Sequence, residues 1–427
     1  MLSFTDVFWP EKYLSQEMAS IVSNSRLSGA GIARGLDKFI LTKPFTGSKW
    51  RPIYVDTQLG DKLETSRTMS TKIIADVVEA LIGAGLMMDS FPNFPKSLSI
   101  AKVFLPEIDL PSLETGRLRL FEISATDVSL PANMHYLETL IGYSFKRKSL
   151  LIQSMSHSSH NTAATASYDR LEFLGDAILD IIIVTELIKY EELPQSNLHL
   201  YKTSLVNGDF LSFICLELKT TQTKIDLKQN PDFSYITTEK SHFPLPLWGF
   251  MRHDSQEISA IQCEVERGHT ALRDDILDAL NYGEAYPWSL LAKVSANKFY
   301  SDLVESLLGA IWVDSGDLDV CKQVLGRMGV LNFMHRLVKD QVHVLHPREE
   351  LSILAADKKV LYEVQAPEIP NSGGEWICKV CIEEDQIIEV HGGVSREEVK
   401  TRAAEGAVPL LRSANRRSGT LSTSSAV

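Results

Sequence analysis

The chain has 427 residues, 44% of them hydrophobic and 23% charged, the composition of an ordinary globular protein with room for two or three domains. No apolar run reaches the ~18 residues of a membrane span, and Asp6 and Glu11 stand where a secretory signal would place a basic and then an apolar stretch, so neither a signal nor a membrane partner is expected. The net charge of −12 excludes a protein that is basic overall, and five scattered cysteines fit a reducing compartment, cytoplasmic or nuclear, rather than a disulfide framework.

Residues 1 to 41 read as a helical start, with a helix-like run from Met18 to Gly35, followed by the turn-rich TKPFTGSKWRP with Pro44, Gly47 and Pro52. Lys43, Lys49, Arg51, Lys62, Arg67 and Lys72 crowd this region; Lys146, Arg147 and Lys148 form a second basic cluster and Arg412, Arg416 and Arg417 a third. Each, taken alone, reads as solvated surface, although nucleic-acid binding depends on local charge rather than on the sum. Lys72 to Ser90, KIIADVVEALIGAGLMMDS, is a strong apolar helix, and residues 93–130, rich in Pro and polar residues, read as a linker with a strand or short helix.

Tyr168 to Tyr190 is apolar and of helical length, yet carries Glu172, Asp176 and Asp180 at i, i+4 and i+8, one stripe on a helix of 3.6 residues per turn. At ~4 Å two like charges repel by roughly 4 kcal/mol at an effective dielectric of 20. The stripe therefore either faces solvent on an amphipathic helix or faces a cation. Lys298 to Gly316, KFYSDLVESLLGAIWVDSG, repeats the arrangement with Asp302 and Glu305 at i, i+3. Two acids from each of two helices can close an oxygen cage around a hard divalent cation such as Mg²⁺.

The two apolar acidic segments are also an internal repeat. Lys72, Asp76, Glu79, Gly83 and Ala84 match Lys298, Asp302, Glu305, Gly309 and Ala310 at one offset, since 302 − 76 = 226 and 309 − 83 = 226. Upstream, Val22-Ser23-Asn24 matches Leu205-Val206-Asn207 at 206 − 23 = 183, so the second copy carries about 226 − 183 = 43 extra residues. Residues 220–296 supply them and read as a mostly irregular loop around one short helix, Thr270 to Leu280.

YDRLEFLGDAIL resembles the signature stretch of the ribonuclease III family, and FYSDLVESLLGA resembles its second acidic motif. The chain is similar to two tandem ribonuclease III domains, the arrangement of Dicer; SNSRL, ILTKPFTGSKWRP and LWGFMRH make the fungal-type Dicer-like proteins the nearest resemblance. The resemblance implies a mainly α fold: tandem all-helical ribonuclease III domains, the first partial (1–92) and the second complete (131–340, with the 220–296 insert). A small α+β domain in α-β-β-β-α order (346–415) and a disordered tail (416–427) follow. The first copy has no LEFLGD counterpart, which would lie before Met1, so the resemblance implies a carboxy-terminal fragment or a truncated gene. It further implies that Glu172, Asp176, Asp302 and Glu305 hold Mg²⁺ or Mn²⁺ and hydrolyse the backbone of double-stranded RNA in RNA silencing. Glu305 would bridge or orient the water, and Asp176 and Asp302 would carry the metal most directly. Lys298 would neutralise a phosphate oxygen or pair with Asp302 at i, i+4. Asp169 stands where the family commonly has Glu, and Asp180 supports the site or is simply exposed. Lys72, Asp76 and Glu79 would form an incomplete first centre. His157, in QSMSHSSH, is expected to cap or pack rather than to react.

From His346 onward, REELSILAADKK, the strands VLYEV, EWICKVCIE and IIEVHGG, and the helix SREEVKTRAAEGAVPLLR resemble a double-stranded RNA binding domain. The pair Cys378 and Cys381 reads as two residues of a strand. Arg396, Lys400 and Arg402 stand where the family presents a basic run to phosphates, here interleaved with Glu397 and Glu398, which implies weak RNA binding. Partners implied are double-stranded RNA, a second copy through the nuclease domains, and RNA-silencing proteins. The competing expectation is a noncatalytic RNA-binding or scaffold fragment, and a third is a protein-interaction platform acting through the last domain.

Overall fold

The computed structural model describes residues 10–40, 70–89, 94–126, 128–160, 166–229, 236–367 and 375–417. The TKPFTGSKWRP stretch, most of the first basic cluster and the tail beyond Arg417 lie outside them. The chain divides into two compact units, one drawn from Met1–Thr126 with Val313–Leu318 and the other from Asp127–Trp312 with Asp319–Val427.

In the first unit, α1 (Glu11–Ile21) and α2 (Asn24–Ala33) replace the single run expected from 18 to 35. The break has a local cause: the Ser23 hydroxyl accepts from the Arg26 amide at 3.4 Å and starts a new helix. Helix α3 (Thr71–Met87), capped by Ser70, packs on α2 where Gly31 leaves room; a Cβ there would lie 2.8 Å from Ile74. The stretch expected as a linker carries α4 (Pro95–Phe104) and α5 (Leu113–Ile123). Its Phe104 and Leu105 are buried with Leu27, Ala75 and Val78 in one cluster, so apolar side chains hold it as part of the unit's core.

The second unit begins with α6 (Met134–Ile141) and α7 (Lys148–Ser154), then α8 (Asp169–Leu187), α9 (Gln195–Val206) and α10 (Gly208–Glu217). The inserted segment is more ordered than its Pro and polar content suggests. It opens with a two-stranded antiparallel ribbon, β1 (Lys219–Gln229) and β2 (Ile236–Pro246), and passes through a short 3₁₀ turn at Leu247–Phe250. Then comes α11 (Gln256–Tyr282), 27 residues long where a helix of 270–280 was expected. Ser255 caps it, and Ile258, Val265, Ile276 and Leu280 bury one side. Helices α12 (Trp288–Lys293), α13 (Phe299–Ser315), α14 (Leu318–Arg327) and α15 (Val330–Lys339) follow.

The carboxy-terminal module has the expected order: α16 (Pro347–Ala355), β3 (Val360–Gln365), β4 (Trp376–Ile382), β5 (Asp385–Gly393) and α17 (Arg396–Arg417), with the strands antiparallel in the order β3-β4-β5. Cys378 and Val380 from the sheet, Leu351 from α16, and Val399, Ala403, Ala404 and Ala407 from α17 form its core. Cys378 and Cys381 both lie in β4, as the strand expectation had it. The module rests on α12: the Ser289 hydroxyl donates to Glu405, and the Trp288 indole donates to the Val344 carbonyl at 3.2 Å. Among the described residues no helix is long and apolar enough to cross a membrane.

Candidate metal centre

Two glycines let α8 and α13 approach within backbone contact. A Cβ built on Gly175 would lie 1.7 Å from the Glu305 carbonyl oxygen, and one on Gly309 would lie 2.1 Å from the Leu171 carbonyl oxygen. Only hydrogen fits at either position. The buried faces of the two helices, Leu171, Ile178, Leu179, Ile182 and Ile183 on one and Leu303, Val304, Leu307, Leu308 and Ile311 on the other, supply the apolar area that holds them there.

The crossing brings acids from distant parts of the chain together. Glu172, Asp302 and Glu305 each offer an oxygen within 4.8 Å of the others, the one such grouping among the described residues. Glu172 lies in the first turn of α8 and Asp302 in the first turn of α13, where the positive ends of two helix dipoles favour anions. Asp176 stands one turn beyond Glu172, open to solvent and outside the close triplet, yet near enough to act on Glu305. Its carboxyl is raised by partial dehydration and by Asp180, whose own charge is paired with Lys202 at 2.7 Å.

Lys298 faces these acids. The Lys298 ammonium lies 2.6 Å from Asp302 Oδ1 and 2.8 Å from Glu172 Oε1, so the expected i, i+4 pair exists and extends to the other helix. Desolvation opposes its charge, but the bonds and fields of Asp302 and Glu172 outweigh that and hold it protonated. Four carboxylates and one ammonium give −4 + 1 = −3, too much negative charge for a buried site. The protein without a cation relieves it by protonation: burial, then Asp176, Glu172 and Asp302, push the Glu305 carboxyl up to about 9. Asp302, 7% exposed, is likewise raised by burial, with Lys298 in opposition. With Glu305 neutral the balance is −2, and a divalent cation would take the place of that proton. An all-oxygen donor set of this charge fits Mg²⁺ or Mn²⁺.

Since Lys298 occupies the oxygens a cation would take, Lys298→Met should tighten Mn²⁺ binding several-fold in the absence of RNA, as read by calorimetry. A weaker site in that variant would mean the ammonium is not a competitor.

Tyr168 is a positioning residue that carries no signal in the sequence beyond its place before the acidic helix. Its buried hydroxyl, kept protonated by desolvation and the nearby carboxylates, donates to Asp302 Oδ2 at 3.4 Å. His157 packs, as expected: its ring is edge-on to Tyr168 at 5.8 Å, and its Nδ1 accepts from the Ser159 amide at 3.0 Å. Burial lowers its affinity for a proton. Asp169 accepts from the Ser167 hydroxyl at 2.9 Å, turned to its own loop.

The remaining candidates are placed differently. Lys72, Asp76 and Glu79 lie exposed along α3, with no companion pair of acids beside them among the described residues. In α17, Lys400 pairs with Glu397 at 2.9 Å, and Arg402 lies 2.8 Å from the fully buried Glu398 and donates to the His391 carbonyl at 3.0 Å. Arg396 is exposed. Two of the three proposed phosphate contacts are thus engaged by acids of their own helix.

Residues 3–89 and 169–316 match the family described as Ribonuclease III domain, and residues 340–425 match that described as Dicer-like protein 2, dsRNA binding domain. The chain is 38% identical over 432 residues to Dicer-like protein 2 of Cryphonectria parasitica, covering 96% of this chain and 30% of that protein. It is 39% identical to the protein of that name from Coccidioides immitis (95% and 28%) and 36% identical to that from Pyricularia oryzae (93% and 28%). It thus spans under a third of the length of these curated relatives. Two structures of the nuclease domain of ribonuclease III from Campylobacter jejuni align with it at 22% and 21% identity. They cover 48% of this chain and 96% and 95% of theirs, with TM-scores of 0.29 and 0.30.

Proposed function

We propose that this chain, which belongs to the ribonuclease III family, hydrolyses the phosphodiester backbone of double-stranded RNA at a single metal-assisted centre, as the nuclease part of a Dicer-like enzyme acting in RNA silencing. The observation that carries the proposal is the meeting of Glu172 with Asp302 and Glu305, although Glu172 and Asp302 stand 302 − 172 = 130 residues apart in sequence, around a space that could hold a divalent cation.

Glu172, Asp302 and Glu305 would hold the ion, with Asp176 at the open edge. Bound Mg²⁺ or Mn²⁺ would supply Lewis acidity and lower the pKa of a bound water. Glu305 gives up its proton to do so, and its freed carboxylate can then orient the attacking water. Tyr168 keeps Asp302 from rotating by engaging Oδ2, which leaves Oδ1 for the ion. Lys298, released from Glu172 and Asp302, would neutralise a nonbridging phosphate oxygen as the water sheds a proton and adds to phosphorus while the departing 3′ oxygen takes up a proton from solvent.

One complete acidic grouping among the described residues, beside the exposed half-set Lys72, Asp76 and Glu79, supports one cut per chain. A single chain is expected to nick one strand, and two copies paired through their nuclease domains to cut both. A gel of strand-labelled duplex RNA with Mg²⁺ tests this; efficient cutting of both strands by a chain shown to be monomeric would refute it. The neutralised helix α17 favours one alternative, a scaffold that no longer cuts. Calorimetry separates the two readings: Mn²⁺ should bind the parent and not Asp302→Ala, whereas equal binding would leave the scaffold.

A further inference from the structure

We propose that one face of the β1–β2 ribbon is a contact surface for the sugar-phosphate backbone of duplex RNA lying across the acidic centre. The inference rests on the nuclease reading for the position of the RNA, and on the ribbon itself for the contact.

The register pairs Thr223 with His242 and Ile225 with Lys240, so alternate residues of both strands share a face. That face carries Lys219, Thr221, Thr223, Thr238, Lys240 and His242, all exposed. None of its positions, 219 to 225 in odd numbers and 238 to 246 in even numbers, holds a carboxylate. The ribbon's two acids, Asp226 and Glu239, are register partners in the alternate set. In a chain of net charge −12 this segregation is the opposite of the average surface. Lysines for phosphates and threonine hydroxyls for phosphate and 2′-hydroxyl oxygens are the groups by which proteins hold an RNA backbone without reading its sequence.

The ribbon is also anchored next to the site. Its base is closed by the Leu247 amide donating to the Leu218 carbonyl at 2.8 Å. Just beyond, the Arg252 amide donates to the Met155 carbonyl at 2.7 Å, and the His157 amide donates to the Arg252 carbonyl at 2.9 Å. The Ser156 carbonyl accepts from the amide of Tyr168, whose hydroxyl reaches Asp302. The base of the ribbon is thus joined to the acidic site through a chain of backbone hydrogen bonds. Eleven residues per strand, at ~3.4 Å each, make it long enough to meet several phosphates of one strand.

The test uses the full chain and a duplex RNA of arbitrary sequence, in chelator so that nothing is cut. The triple variant Lys219→Gln, Lys240→Gln, His242→Gln should bind about tenfold more weakly near ~0.1 M salt, with the salt dependence of log affinity shallower by about two. Lys224→Gln, at an alternate position, should change affinity less than twofold. Mn²⁺ binding at the acids should be unchanged in all of them. If the parent binds and cuts duplex RNA and the triple variant matches it, or Lys224→Gln weakens binding as much, the ribbon assignment falls while the nuclease reading stands. If the ribbon variants weaken binding but Asp302→Ala cuts like the parent, the nuclease reading falls while the contact stands.

Discussion

Glu305→Gln should leave the metal-free protein at least as stable as the parent at pH 8, and lower cleavage of duplex RNA by roughly a thousandfold, about 4 kcal/mol of transition-state stabilisation. The two effects have one origin. Glu305 is 9% exposed and its carboxyl is pushed up to about 9 by burial and by Asp176, Glu172 and Asp302. Between its ordinary value near 4.5 and about 9, the folded protein keeps a proton that the unfolded chain has shed. Stability contributed by this residue is therefore full below pH 4.5, falls as pH rises through that window, and is level above it. Glutamine stays neutral and removes the slope. A cation reverses the sign by taking the place of the proton: Mn²⁺ binding should release close to one proton at pH 7 and tighten as pH rises toward 9. Calorimetry in buffers of different ionisation enthalpy counts that proton, and denaturant melts at pH 5 and pH 8 read the slope. A parent protein whose metal-free stability rises over that interval relative to Glu305→Gln would contradict the account.

Gly175→Ala should cost about 3 kcal/mol of stability or more and abolish Mn²⁺ binding together with it. An added methyl group would sit 1.7 Å from a backbone oxygen of α13, an atom that no rotamer change can move aside. Overpacking in cores usually costs ~1–3 kcal/mol because side chains shift; here two helices must separate. Separation breaks the triplet, since Glu172 rides on one helix and Asp302 and Glu305 on the other. The same substitution at Gly83, the counterpart of Gly309 in the first repeat, where a Cβ would meet nothing within 4 Å, should be tolerated or slightly stabilising. Urea unfolding of the two variants distinguishes crowding from a general intolerance of alanine; equal and small effects would mean that the helices can part without loss.

What could be read from the sequence, and what could not, follows the strength of the periodic signal. The i, i+4 and i, i+3 acids within apolar helices mark their own site because a carboxylate among Leu and Ile has few reasons to be there. The repeat at offset 226 also foretells α3 and α13. Asp176 illustrates the limit: spacing puts it on the stripe, but only the crossing geometry decides that Glu172, Asp302 and Glu305 are the close three. The ribbon has no alternation of apolar and polar residues, since both its faces are largely wet, so KTTQTKIDLKQ looks like loop. The first half of α11 is hidden similarly, with Ser259, Gln262 and Glu264 between Ile258 and Val265. The linker read at 93–130 allows for a strand or one short helix but not for two, because Pro95 and Pro106 punctuate the stretch; Pro95 in fact starts α4. Tyr168 is invisible for a different reason: a single hydroxyl has no pattern.

Every residue of α13 from Phe299 to Trp312 is buried. A helix enclosed on all sides has no frayed edge from which to open, so its amide hydrogens can exchange with deuterated water only when the unit around it comes apart as a whole. Asp302 and Glu305 ride on this enclosed helix, and a ligand captured there is expected to slow exchange throughout the unit instead of protecting a local patch.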